Sequence, residues 1–494
     1  MKEQILQRVE DVWRHHCGAL EEALGETISE LNNVLRLDEY HRHGHDPDQL
    51  ERALGPFAAT SLDLGSLSRV LGKSTRSRAM SPERLKRVQG LIPTLSEMKE
   101  ACSTALPDSA SVDLGAEENE IRELAEQHLT RIARVFRTLR IAQLEIRSKY
   151  EAATHDPVFA NFNWRQFGPG ELRLCPPFLV MARLDEDRGA QLRKMMSLLE
   201  VGMPIKIVAL RSSLREVYSS ALDISVPARM TIEMLPLAMR GVYLLQTCVA
   251  APDFQDRLFD GLTAPRPGVI SVLCQRSDEE QAAFQRRAER AVRARAFPMC
   301  VYDPDGANGF VMCIDLSSNP SPDAVWTNET LCGQDAQGQA IEVEEAFTFA
   351  HFAASEPEFA AELADAPPMA DQLIPMNDYL GFSRPQRVGK LPLISLAGKD
   401  GSILRKVVSP ALALQCSDRL HLWRTLQEIS GIDNPYVNTT RTTLKNEFIA
   451  EQQAQLENQR QEMEKEAARR EQAVVASTVR KLVAHLSGVD PPGS

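Results

Sequence analysis

Polar side chains crowd the stretch Arg211 to Ser220, written RSSLREVYSS, directly after the apolar run Ile205 to Leu210. Gly202 and Pro204 open that run as a turn. A short apolar run bounded by turn residues suits a strand buried in a parallel sheet better than a one-faced surface strand. Ile205 to Leu210 is therefore expected to be the central strand of an α/β domain. Its polar continuation would then lie at the carboxyl end of the strand, where open parallel sheets place their ligands.

Other residues with chemistry in them are more scattered. His41, His43 and His45 alternate in DEYHRHGHD; in an extended segment they would share a face and could hold zinc. A solvated loop around Gly44 is the expected reading, with no second ligand cluster to complete a site. Nine cysteines stand singly with no CxxC pair, which reads as reduced thiols, several in the core, and gives no clustered ligands for iron–sulfur chemistry. Asp303, Asp305 and Asn308 lack the twelve-residue spacing and terminal glutamate of a calcium loop, so structural turns are expected there. His351 stands beside Phe352 with no nucleophile or carboxylate partner evident in the sequence, and packing is the expected role.

The elements that must position these groups follow from composition and periodicity. The chain has 494 residues, 43% of them hydrophobic, enough for three or four units of about 150 residues each. A formal net charge of -12 argues against general nucleic-acid binding, which needs a counterion-releasing basic field. No apolar run reaches the roughly 20 residues of a bilayer span, and Met1 to Cys17 is charged and amphipathic, so a cytoplasmic protein is expected.

Residues 1–100 read as helices, with Val9, Val12, Trp13, Leu20 and Leu24 on one face and a further helix carrying Ile28, Leu31 and Val34. Ser81-Pro82-Glu83 reads as a helix start, Asp108 to Glu120 as a linker, and Ile121 to Tyr150 as a long helix with His128 on its apolar side. Beyond Thr154 strand and helix alternate. Phe178–Met181, Ile205–Leu210, Val242–Leu245 and Val269–Leu273 are expected strands, with helices at 190–201, 254–262 and 279–295. Leu391–Leu396 and Ile403–Val408, joined by Lys399-Asp400-Gly401, form an expected hairpin, followed by a helix with Trp423, Leu426 and Ile429. A charged helix over 443–486 carries an interrupted apolar seam suited to a coiled coil or a partner. Val489 to Ser494 is expected to end it as a flexible tail.

The run Ile205 to Ser220, followed by GVYLLQTCVAAPDFQDRLFDGLTAPRPGVISVLC from Gly241, resembles the thiamine-diphosphate-binding domain of the pyruvate:ferredoxin (2-oxoacid:acceptor) oxidoreductase family. RAFPMCVYDPDGANGF, DLSSNPSPDAVW and LQEISGIDNPYV resemble the outer region of its multidomain members, so that the likeness covers about residues 155 to 440. The resemblance implies a diphosphate site at the carboxyl end of the sheet. It also marks where that site has decayed. Arg183-Leu184-Asp185 stands where the family has GDG, and Leu184 cannot ligate Mg²⁺. Tyr218 and Ser219 keep the start of the family's YSNTGGQ, but Ser220 replaces the ligating asparagine and Ala221-Leu222-Asp223 replace its TGG. The family's CxGCG-type cluster is absent, and Cys175 has no near companion.

On this resemblance Asp185, Asp187, Arg211, Arg215, Ser219 and Ser220 line a vestigial pocket. The arginines there either neutralise phosphate or serve as salt-bridge partners. The implied fold is an α/β, degenerate thiamine-diphosphate-binding-type parallel sheet domain with an all-helical N-terminal region and a long C-terminal helix. The expected divisions are 1–120 (helical), 121–153 (connecting helix), 154–390 (the degenerate α/β domain with extension), 391–440 (hairpin and helix) and 441–488 (assembly helix). The implied function is a non-catalytic structural or regulatory subunit, a pseudoenzyme within a 2-oxoacid:ferredoxin oxidoreductase-like complex. No cofactor, metal or catalytic residue is expected, and its partners would be protein subunits or further copies of itself. The alternative is a catalytic subunit whose atypical thiamine diphosphate and Mg²⁺ site, with Asp185 or Asp187 as metal ligand, is completed by a partner chain. A third reading, a plain coiled-coil scaffold, requires that no parallel sheet exist between residues 175 and 275.

Overall fold

The computed structural model describes residues 2–55, 63–75, 79–104, 111–183, 188–215, 231–334, 339–367, 372–398 and 400–487. The chain divides into two compact units, 1–425 and 426–494, each described by itself. The first holds a mixed sheet of seven strands: β1 (Ser111–Asp113), β2 (Phe178–Arg183), β3 (Ile205–Arg211), β4 (Tyr243–Cys248), β5 (Gly268–Leu273), β6 (Cys300–Tyr302) and β7 (Ile314–Asp315). Their spatial order is β1-β2-β3-β5-β4-β6-β7. The first five strands run parallel, and β6 and β7 add antiparallel pairings at the far side.

The apolar runs at β2 to β5 become buried parallel strands for the reason their composition suggests: every residue of β4 and β5 is buried, so both faces need apolar cover. Gly202 takes φ 73° in the turn before β3, a left-handed conformation that glycine adopts without a Cβ penalty. β3 lies inside the sheet, but β5 holds the middle position, because the chain leaves β3, passes on to β4 and returns to insert β5 between them. A parallel sheet between residues 175 and 275 excludes the plain coiled-coil scaffold.

One continuous helix, Lys2–His43, replaces the two helices expected at the start. Its Val9, Val12 and Trp13 pack with Leu179, Val208, Tyr243, Leu245 and Ile270 and with Phe254, Leu258 and Leu262 of the helix Phe254–Thr263. This helix therefore covers the sheet. Helices Pro82–Thr104 and Glu118–Ile146 are tied together by Glu145, which is fully buried and accepts from Arg84 Nε at 2.9 Å and from Arg87. The long helix buries Ile121, His128, Val135, Leu139 and Ala142 on its expected apolar side, and His128 Nε2 lies 2.9 Å from the Pro176 carbonyl.

Several expectations need correction. His41 and His43 belong to the last turn of the first helix rather than to a solvated loop, and His45 is buried. Positions two apart on a helix do not share a face, which removes the geometry a zinc site would use. Part of the expected linker is β1, paired parallel with β2 at the sheet edge. The turn-rich segment 296–326 contains β6 and β7.

Beyond the seven-stranded sheet, β8 (Thr327–Gln334) and β9 (Ala340–Phe347) form an antiparallel pair. A four-stranded sheet follows, in the order β10-β13-β12-β11, from β10 (Leu363–Asp365), β11 (Leu373–Pro375), β12 (Leu391–Ala397) and β13 (Ile403–Val408). The β12–β13 hairpin is the expected one, with Gly401 at φ 82°; Lys399 lies outside the described residues. Phe284, Phe347, Phe349, Phe352, Phe359 and Leu412 meet in one core that joins these elements to the end of β5 at Leu273. The second unit carries the helix Pro435–Ser487, 53 residues with none buried. The tail 489–494 lies outside the described residues.

Candidate functional site

The carboxyl edge of the parallel sheet is built where β3 and β5 end side by side, Arg211 in register with Leu273. Arg211 turns inward. Its side chain is buried, Nη1 donates to Glu233 Oε1 at 3.2 Å, and its guanidinium lies 5.5 Å from the Phe297 ring centre. Burial by itself would push the Glu233 carboxyl up, but the charges of Arg211 and Arg419 outweigh it and hold the group below the usual carboxylate range.

The loops that leave the two strands are bound by a second arginine. Arg287, on the helix Gln281–Arg293, donates from Nε to Glu279 Oε1 and from Nη2 to Glu279 Oε2, each at 2.7 Å. It also donates to the carbonyls of Cys274 at 2.9 Å and Ser212 at 3.3 Å. This two-pronged pairing fixes orientation as well as charge. Burial would raise the Glu279 carboxyl, yet the Arg287 hydrogen bonds bring it below its ordinary value.

A third arginine closes the outer side. Arg276 pairs with Glu356 and lies 3.5 Å from Glu358 Oε1, while Ser213 Oγ donates to Glu358 Oε2 at 2.7 Å. Burial dominates at Glu356 and keeps its carboxyl above the usual range. Beside this network lies an open cleft of about 510 Å³, lined by Arg276, Arg286, Arg290, Glu329, Glu356 and Ser395 among others. Arg290 crosses it, donating to the His351 carbonyl at 3.0 Å and lying 4.7 Å from the Phe347 ring centre. The charges along this edge are neutralised largely by one another. Ser213 faces a carboxylate with no histidine between them, so the relay that activates a serine nucleophile is not assembled.

Of the six residues expected to line the vestigial pocket, Arg211 and Arg215 are described, one buried and one exposed. Asp185, Asp187, Ser219 and Ser220 lie outside the described residues. Cys175 is buried, and burial pushes its thiol up to about 12, far from the thiolate that binds metal. Among the described residues no group of three or more His, Cys, Asp or Glu is placed to hold a metal ion. No protein-family model matches the chain, and no curated protein matches it either.

Two features escaped sequence reasoning. Lys206 sits inside the apolar run Ile205–Leu210 of β3 and is buried there; its Nζ donates to the Ala264 carbonyl at 2.7 Å and to the Arg266 carbonyl. Burial lowers its pKa to about 7. His351, expected only to pack, also has Glu345 Oε2 3.7 Å from Nε2, while its Nδ1 lies 3.0 Å from both the amide nitrogen and hydroxyl of Thr348. The single charge in an apolar run was the available signal for Lys206. For His351 nothing in the spacing announced the partner, because Glu345 belongs to β9.

Proposed function

We propose that the chain is a non-catalytic structural or regulatory subunit of a 2-oxoacid:ferredoxin oxidoreductase-like complex, cytoplasmic, and joined to protein partners through its terminal helix. The pairing of Arg211 with Glu233 carries this reading. A diphosphate at the end of β3 needs cations with unspent donors, and the arginine at that position spends its charge on a buried carboxylate. The Arg287–Glu279 pair, which ties the loops after β3 and β5 together, adds support of the same kind. Separating either pair to admit a ligand would leave a desolvated carboxylate behind, at a cost of several kcal/mol. Among the described residues no helix is long and apolar enough to cross a membrane, which agrees with a subunit that works in water.

Calorimetric titration of the full chain with thiamine diphosphate and Mg²⁺ tests the proposal. The expected result is no saturable binding at millimolar ligand. Stoichiometric binding overturns it and makes Asp185, Asp187 and Ser220 the first residues to replace.

A further inference from the structure

A second cavity, of about 600 Å³, opens at the amino edge of the sheet, where β4 begins at Tyr243. The first helix lines it with His15 and His16, and the helix Phe254–Thr263 with Phe259 and Asp260. β6 runs antiparallel to β4 with Tyr302 opposite Leu244, so the turn that leaves β6 brings Asp303 to the same cavity.

Two polar side chains on its wall are buried without a partner. Tyr243 is 4% exposed, yet its hydroxyl makes no hydrogen bond among the described residues; a buried tyrosine ordinarily finds one. Burial, and after it the charges of Asp303 and Asp260, push the phenol up, so it stays protonated. His16 is 3% exposed, and its Nε2 has no hydrogen-bond partner among the described residues. Burial, with a smaller push from His15, lowers its pKa to about 4. At neutral pH the ring is therefore uncharged and keeps a nitrogen lone pair.

The charges around the cavity do not cancel. Arg257 is held by Asp253 at 3.1 Å and by Asp315 at 2.8 Å, and Arg266 holds Asp305 at 2.7 Å. Lys206 turns its Nζ to the Ala264 and Arg266 carbonyls. Among the described residues Asp260 and Asp303 are left without an ion pair, against the single exposed guanidinium of Arg173. Asp303 spends Oδ1 on the Asp305 amide at 3.0 Å. No group of three or more His, Cys, Asp or Glu among the described residues is placed to hold a bare metal ion. An ammonium group, by contrast, offers three N–H donors and no acceptor, the complement of carboxylates, a phenol oxygen and a neutral ring nitrogen. We propose that this cavity binds a small organic amine, its ammonium group set against Asp303 and Asp260 with Tyr243 and His16 as acceptors, and its carbon chain along Phe259.

The site lies at the opposite edge of the sheet from the Arg211–Glu233 pair, so amine binding and cofactor binding can succeed or fail separately. Calorimetric titration of the full chain with butylamine, putrescine and spermidine at physiological ionic strength tests the proposal. At least one of the three should bind saturably, one per chain, and Mg²⁺ at the same concentration should not compete. Asp303→Asn keeps an acceptor for the Asp305 amide and should weaken binding by about 10- to 100-fold; Tyr243→Phe should weaken it by about 2- to 10-fold. Asp260→Asn, at an exposed position that leaves folding intact, should also weaken it about 10-fold. Absence of saturable binding by all three amines at about 10 mM overturns the proposal. Equal competition by Mg²⁺ overturns it too, since that reports diffuse attraction to an acidic protein. Binding left unchanged by Asp303→Asn and Asp260→Asn is held elsewhere and likewise overturns it.

Discussion

Residues 1–425 bury charge, and residues 426–494 expose apolar surface. In the first unit Glu145, Glu233, Lys206, Arg211 and Arg287 are all buried, and each has partners within the same unit. In the second unit Leu444, Phe448, Leu456 and Met463 lie on the surface of a single helix. The difference lies in which groups are already satisfied. A paired, desolvated charge resists a newcomer, because separating the pair costs more than the newcomer returns. An exposed apolar seam gains from any surface that removes it from water. Among the described residues the sheet unit thus pairs its buried charges internally, while the terminal helix leaves its apolar side chains exposed.

The sharpest way to break this contrast is to unpair a buried charge. Arg211→Met should destabilise the protein by about 3–5 kcal/mol, measured by urea unfolding, because Glu233 then loses its nearest cation while remaining buried. Adding Glu233→Leu should recover part of the loss. A loss below about 1 kcal/mol, the size of an exposed pair, would show that this edge opens readily and would weaken the case for a closed site.

Lys206 sharpens the contrast through pH. Burial puts its folded-state pKa at about 7, against 10.5 for an ordinary lysine. Between those values the unfolded chain binds more protons than the folded one, so this residue makes stability rise with pH through that window. Its contribution is complete above the ordinary lysine value and fades as pH falls toward 7. Urea midpoints compared at pH 7 and pH 9 should rise more steeply in the wild type than in Lys206→Met. Equal slopes would show that the ammonium keeps its charge in the fold.

The smallest effect belongs to the terminal helix. Phe448→Ser at a concentration where chains stay apart should change unfolding of the sheet unit by less than about 0.5 kcal/mol, as exposed substitutions do. The same change should weaken association. A large loss of stability at low concentration would mean that Phe448 is not the exposed residue described above.

Sequence reasoning saw what has a period or a composition of its own. β2 to β5 were legible as apolar runs between turns, and β12–β13 as two strands around Asp400-Gly401. β1, β6 and β7 were not, since two or three residues are too few to show alternation. β9 reads as acidic because it holds Glu342, Glu344 and Glu345, so its alternating exposure was hidden by charge. The carboxyl edge was located correctly through the strand ends. Its pairings were not legible: Glu356 reaches Arg276 from 80 residues away and Glu233 reaches Arg211 from 22, while Glu279, eight residues before Arg287, lies outside the spacings of three and four that announce a helical pair. Long-range partners have no spacing from which to be read.

The first helix has a consequence for how the protein is made. Arg8 donates to the carbonyl of Gln255 at 3.2 Å, and Val12 and Trp13 share a core with Phe254 and Leu258. Those partners do not exist until about half of the chain has been synthesised. At about 5–20 residues per second, the apolar face of the helix waits on the order of 10–50 s for its cover. Growing chains thus carry an amphipathic stripe that stays uncovered until β4 and the helix behind it have been made.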